Sequence, residues 1–231
     1  MIEIPQKGTV TKATVHDPRL LVLFGATKVG KTYQAIQLQK WLRENHPYKT
    51  SLILDTEGGT DMYEGRKLAI NSLKDLKEYI VQGKKDKETF LILDTLDVVV
   101  EWIEKLVCET NDVESIGDLA FGKGYGLVRE KTMSVIKHLK ECCDHLILIG
   151  HRKKTIIGNE TVEVNVSSLD LPGKLKNVVC ADADAIGYMY RLEEELKVSF
   201  KASEDLEAGS RIPHLVDTLD FDWSKIYQNL N

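Results

Sequence analysis

The chain has 231 residues, 42% of them hydrophobic and 29% charged, with a formal net charge of −5. That length and composition suit one soluble α/β domain with a sizeable core, and no apolar run approaches the roughly 18–20 residues that a membrane span needs. The acidic balance excludes nucleic-acid attraction by the whole-protein field, so any such site must be a local basic patch.

Residues 1–19, with Pro5, Gly8, Thr9, Thr11 and Thr14, read as an extended lead-in or an edge strand. Met1 to Asp17 is polar and mixed, without the basic-then-apolar pattern of a signal peptide, so a cytoplasmic location is expected. Cys108, Cys142, Cys143 and Cys180 form no CxxC pair and no metal-ligand spacing, which suits reduced thiols and no zinc.

Leu20-Leu21-Val22-Leu23-Phe24 is a buried-strand run, followed by Gly25-Ala26-Thr27-Lys28-Val29-Gly30-Lys31-Thr32. The second stretch fits G-x-x-x-x-G-K-[ST] at every fixed position, between a strand and a helical pattern, and reads as a phosphate-binding loop for ATP. Its backbone amides and the following helix N-terminus would face the phosphates. Lys31 would reach the β- and γ-phosphates and the Thr32 hydroxyl would hold Mg²⁺, with Tyr33 closing the nucleotide-binding stretch. Lys28 has two readings, a cation near the γ-phosphate or a neighbouring subunit, and a solvated loop lysine.

Ala35, Ile36, Leu38, Trp41 and Leu42 then recur at helical spacing, stopping before Pro47. Ser51-Leu52-Ile53-Leu54-Asp55 is a second buried strand, ending in Thr56-Glu57-Gly58-Gly59. Acids at the carboxyl end of a parallel strand sit where α/β ligands bind, which makes Glu57 the candidate to activate an attacking water. The alternative is a strand-end acid capping the next turn.

Leu68-Ala69-Ile70 is a short strand, and Ser72 caps a helix through Gln82. Phe90-Leu91-Ile92-Leu93-Asp94 is a third buried strand whose terminal carboxylate would hold Mg²⁺ opposite Thr32. Asp97 is expected to cap the apolar helix Val98 to Val107. The glycine-rich stretch 117–126, with Phe121, Lys123 and Tyr125, reads as a functional loop or a plain connector, with a helix from Leu127 to Cys143.

Leu146-Ile147-Leu148-Ile149-Gly150 is the fourth buried strand, ending at His151, a polar tip placed to feel the γ-phosphate. Arg152, Lys153 and Lys154 open a long hairpin or mobile loop as far as Pro172-Gly173-Lys174. Such a cluster suits a nucleic-acid backbone or is simply a solvated face. Residues 185–190 and 196–201, joined by Glu193-Glu194-Glu195, read as antiparallel strands extending the sheet. The tail, 211–231, carries a short helix capped by Asp222.

This order of parts resembles the ATPase core of the RecA family, and its lengths and features resemble the small phage-encoded RecA-like ATPases, some of which anneal or recombine single-stranded DNA. The resemblance covers roughly residues 15–215. It implies an α/β fold, a mostly parallel sheet flanked by helices with antiparallel strands on the C-terminal side, in one domain spanning 1–231. It also implies Glu57 as the water-activating glutamate, Asp94 as the Mg²⁺-associated aspartate and His151 where RecA has a nucleotide-sensing glutamine. Residues 118–126 and 152–172, hence Lys123, Arg152, Lys153 and Lys154, take the places of DNA-contacting loops. Lys197 and Lys201 fall near lysines that reach a neighbouring subunit's ATP site, or are ordinary outward strand lysines. The implied function is Mg²⁺-dependent ATP hydrolysis by a homo-oligomer, ring or filament, on single-stranded DNA, with a single-strand-binding protein as a candidate partner. An ATP-switched module for a protein partner, and a small-molecule or nucleotide kinase, remain the alternatives.

Overall fold

In the computed structural model, which describes residues 13–159 and 162–230 with the side chains of 157–164 excepted, the apolar runs form the centre of one sheet. The elements in chain order are β1 (Leu20–Gly25), α1 (Lys31–Asn45), β2 (Ser51–Asp55), β3 (Lys67–Ala69), α2 (Leu73–Gly83), β4 (Glu88–Asp94) and α3 (Leu96–Asn111). Two 3₁₀ turns, Ile116–Asp118 and Ala120–Gly122, lead into α4 (Lys123–Lys140) and β5 (Cys143–Asn159). Then come β6 (Val162–Leu169), α5 (Leu175–Asp182), β7 (Ala185–Leu192), β8 (Glu195–Ser199), β9 (Gly209–Ser210), β10 (Thr218–Asp220) and α6 (Trp223–Ile226).

The strand order is β10-β8-β7-β1-β5-β4-β2-β3, with β6 paired to β5 and β9 to β7. From β7 to β3 every neighbouring pair is parallel. The strands read as continuous apolar runs because helices cover both faces. Leu20, Val22 and Phe24 of β1 pack with Leu91, Leu93, Leu146 and Leu148 and with residues of α2 to α5. Leu21 and Leu23 point the other way, with Ile92, Ile147 and Ile149, against Ala35, Ile36, Leu38 and Leu42 of α1 and against Trp223, Ile226 and Tyr227 of the tail.

The tail is therefore part of the second core. The Trp223 indole Nε1 donates to the Gln34 carbonyl at 2.9 Å. The carboxylate of Asp17 accepts the backbone N–H groups of Gln228 and Asn229 at 3.1 and 2.8 Å. Asp222 caps α6 by accepting from the Ser224 amide, and Ser72 caps α2 by accepting from that of Asp75.

Several expectations are corrected. Asp97 does not cap α3: that position falls to Thr95, and Asp97 lies in the first turn with its carboxylate turned to His151. Helix α4 starts at Lys123 rather than Leu127, so Lys123 stands on a helix, and the expected loop is largely 3₁₀ structure. Strand β5 does not end at Gly150 but runs on to Asn159 and pairs antiparallel with β6, which resolves hairpin against loop in favour of the hairpin. Strand β7 is parallel to β1, and the antiparallel additions are β8, β9 and β10. Lys197 lies on β8, whereas Lys201 falls beyond its end. Helix α5 and the short strands β9 and β10 have no counterpart in the sequence reading. Residues 1–12 of the expected lead-in lie outside the described residues, and 13–19 form no strand.

Strand β2 ends in a turn built on Asp55. Its carboxylate accepts the amides of Glu57 (3.0 Å), Gly58 (2.8 Å) and Thr60 (2.9 Å) and the Thr60 hydroxyl. Burial pushes this carboxyl up, but the hydrogen bonds from Thr60, Glu57 and Gly58 outweigh burial and hold it below the usual carboxylate range.

Two measurements follow from these turns. A Cβ on Gly124 would sit 2.1 Å from the Ile116 carbonyl oxygen, whereas one on Gly126 meets nothing within 4 Å. Gly124→Ala is expected to destabilise by about 1–3 kcal/mol in urea denaturation, and Gly126→Ala to stabilise by up to about 1 kcal/mol as helix propensity improves. Asp55→Ala should cost about 2–3 kcal/mol at pH 7. Because the folded carboxyl titrates below its unfolded value, its contribution is present above the unfolded pKa and lost as pH falls through the folded one. The gap between parent and variant should therefore narrow from pH 7 to pH 3.

Candidate nucleotide site

The loop between β1 and α1 is shaped by close backbone approaches. A Cβ on Gly25 would lie 2.5 Å from the Met189 carbonyl oxygen of β7, so only glycine fits there. Lys28 and Gly30 both occupy the left-handed region, at φ 63° and 116°, and Gly30 leads directly into α1. The Lys31 side chain, 6% exposed, folds back over the loop, its Nζ donating to the carbonyls of Gly25 (3.2 Å) and Ala26 (3.1 Å). Burial pulls its pKa down, and Asp94, Asp97 and Glu57 oppose that pull. Ala26 is half-buried, Val29 is buried, and Thr27, Lys28 and Tyr33 are exposed, Tyr33 leaning on Tyr63 with ring centres 5.9 Å apart.

Thr32 Oγ1 donates to Asp94 Oδ2 at 2.6 Å, joining α1 to the end of β4. Asp94 is 3% exposed. Burial pushes its carboxyl up to about 6; the Thr32 hydrogen bond and Lys31 pull it down, while Glu57 and Asp55 push it further up. Its Oδ1 is buried with no hydrogen-bond partner among the described residues. An orphaned carboxylate oxygen beside a threonine hydroxyl is a hard-oxygen pair that suits Mg²⁺. The Gly58-Gly59 turn comes close to the pair, since a Cβ on Gly59 would lie 3.5 Å from Thr32 Oγ1.

Asp55 takes the turn-capping role that was the alternative reading of Glu57, which leaves the Glu57 carboxylate facing the site. Thr95 Oγ1 donates to Glu57 Oε1 at 3.4 Å. Thr95 is itself anchored to β2, its amide donating to Thr56 Oγ1 at 2.7 Å while the Thr56 amide donates to the Asp94 carbonyl at 2.8 Å. His151 pairs with Gly25 across β5 and β1. Asp97 grips it twice, accepting from the His151 amide at 3.2 Å and meeting ring Nδ1 at 2.7 Å, and that nitrogen lies 4.0 Å from Glu57 Oε1. Glu57, Asp97 and His151 thus present ligand atoms within 4.8 Å of one another, a set that could hold a cation. Asp97 is the site residue that sequence reasoning misplaced. Its only signal there is its spacing of three from Asp94.

The remaining candidates are dispersed. Lys123 is exposed in the first turn of α4. Arg152 donates from Nη1 to the Tyr188 hydroxyl at 2.9 Å, beside a stacked Tyr188–Tyr190 pair with ring centres 5.5 Å apart. Lys153 pairs with Asp170 at 3.3 Å, and Lys154 is exposed. Lys197 is held within its own chain by Glu195 at 2.5 Å and by Asp220, and Lys201 is exposed. No helix among the described residues is long and apolar enough to cross a membrane.

Two comparisons bear on this geometry. The chain is 28% identical over 144 residues to the SPbeta prophage-derived uncharacterized protein YorG of Bacillus subtilis (strain 168), a stretch covering 59% of this chain and 40% of that protein. Residues 17–212 match the model of the AAA domain family, a span that holds the loop, Glu57, Asp94 and His151. With most of its length inside that match, and the phosphate-loop strand at the centre of a parallel sheet, the chain belongs to the AAA domain family of P-loop ATPases.

Proposed function

We propose that the chain hydrolyses ATP with Mg²⁺ and that the nucleotide state controls how an oligomer of copies holds single-stranded DNA, in phage or bacterial recombination, annealing or replication. The loop amides and Lys31 would bind the phosphates, with Lys31 exchanging its two carbonyl partners for phosphate oxygens. Thr32 and Asp94 would hold Mg²⁺, which when bound neutralises charge on the β- and γ-phosphate oxygens. Glu57, steadied by Thr95, would orient the attacking water and take its proton.

The observation that carries the DNA half of this reading is the continuity of β5. The residue paired with the first glycine of the loop, His151, is followed without a break by Arg152, Lys153 and Lys154 on the same strand, which then forms the hairpin with β6. A change in the His151–Asp97 contact would be felt along that strand. The Arg152 guanidinium beside the stacked Tyr188 and Tyr190 would combine charge for a backbone with faces for bases. Support also comes from the resemblance in order of parts to the RecA family, and from a relative described as prophage-derived.

A second reading, an ATP-switched module that holds a protein partner, is favoured by the partners Arg152 and Lys153 already have in Tyr188 and Asp170. Hydrolysis assayed with Mg²⁺, with and without single-stranded DNA, separates the two. Lys31→Ala should reduce turnover to background. Glu57→Gln should keep nucleotide binding while kcat falls by about 10²–10⁴-fold. Stimulation by DNA that disappears in a triple Arg152→Glu, Lys153→Glu, Lys154→Glu variant supports the DNA reading; parent turnover indifferent to DNA moves the assignment to the partner-switched module.

A further inference from the structure

We propose that Arg191 is a second cationic ligand for the nucleotide phosphates, supplied from the chain's own β7. The inference rests on the nucleotide-site reading and extends it to a residue outside the loop. Strand β7 runs parallel to β1 with Met189 opposite Gly25, so Arg191 stands two residues past the end of β1, on the same strand face as Met189. That is the face packed toward α1, since Met189 lies in the α1-side core. Across the hairpin Arg191 pairs with Leu196 of β8, and these two side chains flank the point where the loop becomes helix. A Cβ on Gly30 would lie 3.8 Å from Arg191 Nη2 and 4.0 Å from Leu196 Cδ2.

The guanidinium is aimed but not used up. Arg191 Nη1 donates to the Glu194 carbonyl at 2.9 Å, which fixes the side chain against the β7–β8 turn. Arg191 is exposed and takes part in none of the ion pairs among the described residues, although three glutamates follow it in sequence; of these, Glu195 is paired with Lys197. A guanidinium carries five donors in a fixed fork that matches phosphate oxygens. Held beside Gly30, it borders the loop amides and the helix N-terminus that attract the same anion. The cations nearest the loop stand apart from the acids at the strand ends. Asp55, Asp94, Asp97 and Glu57 gather at the ends of β2 and β4, whereas Lys28, Lys31 and Arg191 lie along the loop and its β7 flank. Leu196 flanks the same point, so an apolar side chain stands beside the guanidinium there.

The test is calorimetric titration of the full-length chain with ADP and with inorganic pyrophosphate, both with Mg²⁺, alongside steady-state ATP hydrolysis. Arg191→Ala should weaken ADP and pyrophosphate about tenfold each, with Arg191→Lys in between. The KM for ATP should rise in the same proportion while kcat at saturation stays within about threefold, in contrast to Lys31→Ala, which loses turnover at any concentration. Thermal unfolding of Arg191→Ala close to that of the parent accompanies the expected result, because the side chain is exposed. Unchanged ADP affinity in Arg191→Ala overturns the proposal while leaving the nucleotide site standing. Loss for ADP but not for pyrophosphate also overturns it, assigning the guanidinium to the base or ribose instead. A parent chain that binds neither ligand overturns this inference and the nucleotide-site reading together.

Discussion

A carboxylate almost out of water, with only one of its oxygens satisfied, is the constraint around which this structure is arranged. Asp94 ends the central strand β4 at 3% exposure, bonded through Oδ2 to Thr32 and through Oδ1 to nothing among the described residues. Burying such a group costs free energy unless a partner arrives. The fold keeps it there because β4 is clamped between β5 and β2 over most of its length, with apolar side chains on both faces. Lys31, drawn into the same region and turned onto two loop carbonyls, is the complementary case of a buried cation with only neutral partners. A nucleotide's phosphates and Mg²⁺ would satisfy both groups at once.

The carboxyl ends of the parallel strands explain why the chemistry gathers where it does. Gly25 of β1, Asp55 of β2, Asp94 of β4 and His151 of β5 come from positions as far as 126 residues apart in the chain, yet the sheet pairs Asp55 with Asp94 and Gly25 with His151, and Ile149, two residues before His151, stands opposite Asp94. Between β2 and β4 the link is doubled by the Thr56–Thr95 exchange, so Glu57 is carried by a turn that is tied to the strand holding Asp94. The difference between Asp55 at the end of β2 and Glu57 in the following turn is physical. Asp55 spends its lone pairs on its own turn and is held below the usual carboxylate range, while the Glu57 carboxylate lies beside Thr95 and His151.

Much of this was legible in the sequence for a simple reason: buried parallel strands are apolar runs. The loop, the four central strands, the cap at Ser72 and the short helix after Asp222 all announced themselves locally. What was missed depends on distant partners. Asp97 looked like a helix cap because only the fold brings His151 to it. Strand β7 looked antiparallel because it begins a hairpin with β8, and its parallel pairing with β1 is set by α5, which the sequence reading did not anticipate. The start of α4 was hidden by glycines, which read as a loop although Gly124 is required by the backbone of Ile116 passing alongside. Arg191 carried no local signal at all.

The indole of Trp223 donates to the carbonyl of Gln34, within the first turn of α1 after Thr32. The short terminal helix is therefore a prop under the helix that follows the phosphate-loop motif. A prop of this kind sets compliance rather than chemistry: the stiffness with which Thr32 meets Asp94 depends on residues almost two hundred positions later in the chain. A load applied to the tail would reach α1 through this hydrogen bond and through the core that Trp223, Ile226 and Tyr227 share with Ala35, Ile36, Leu38 and Leu42.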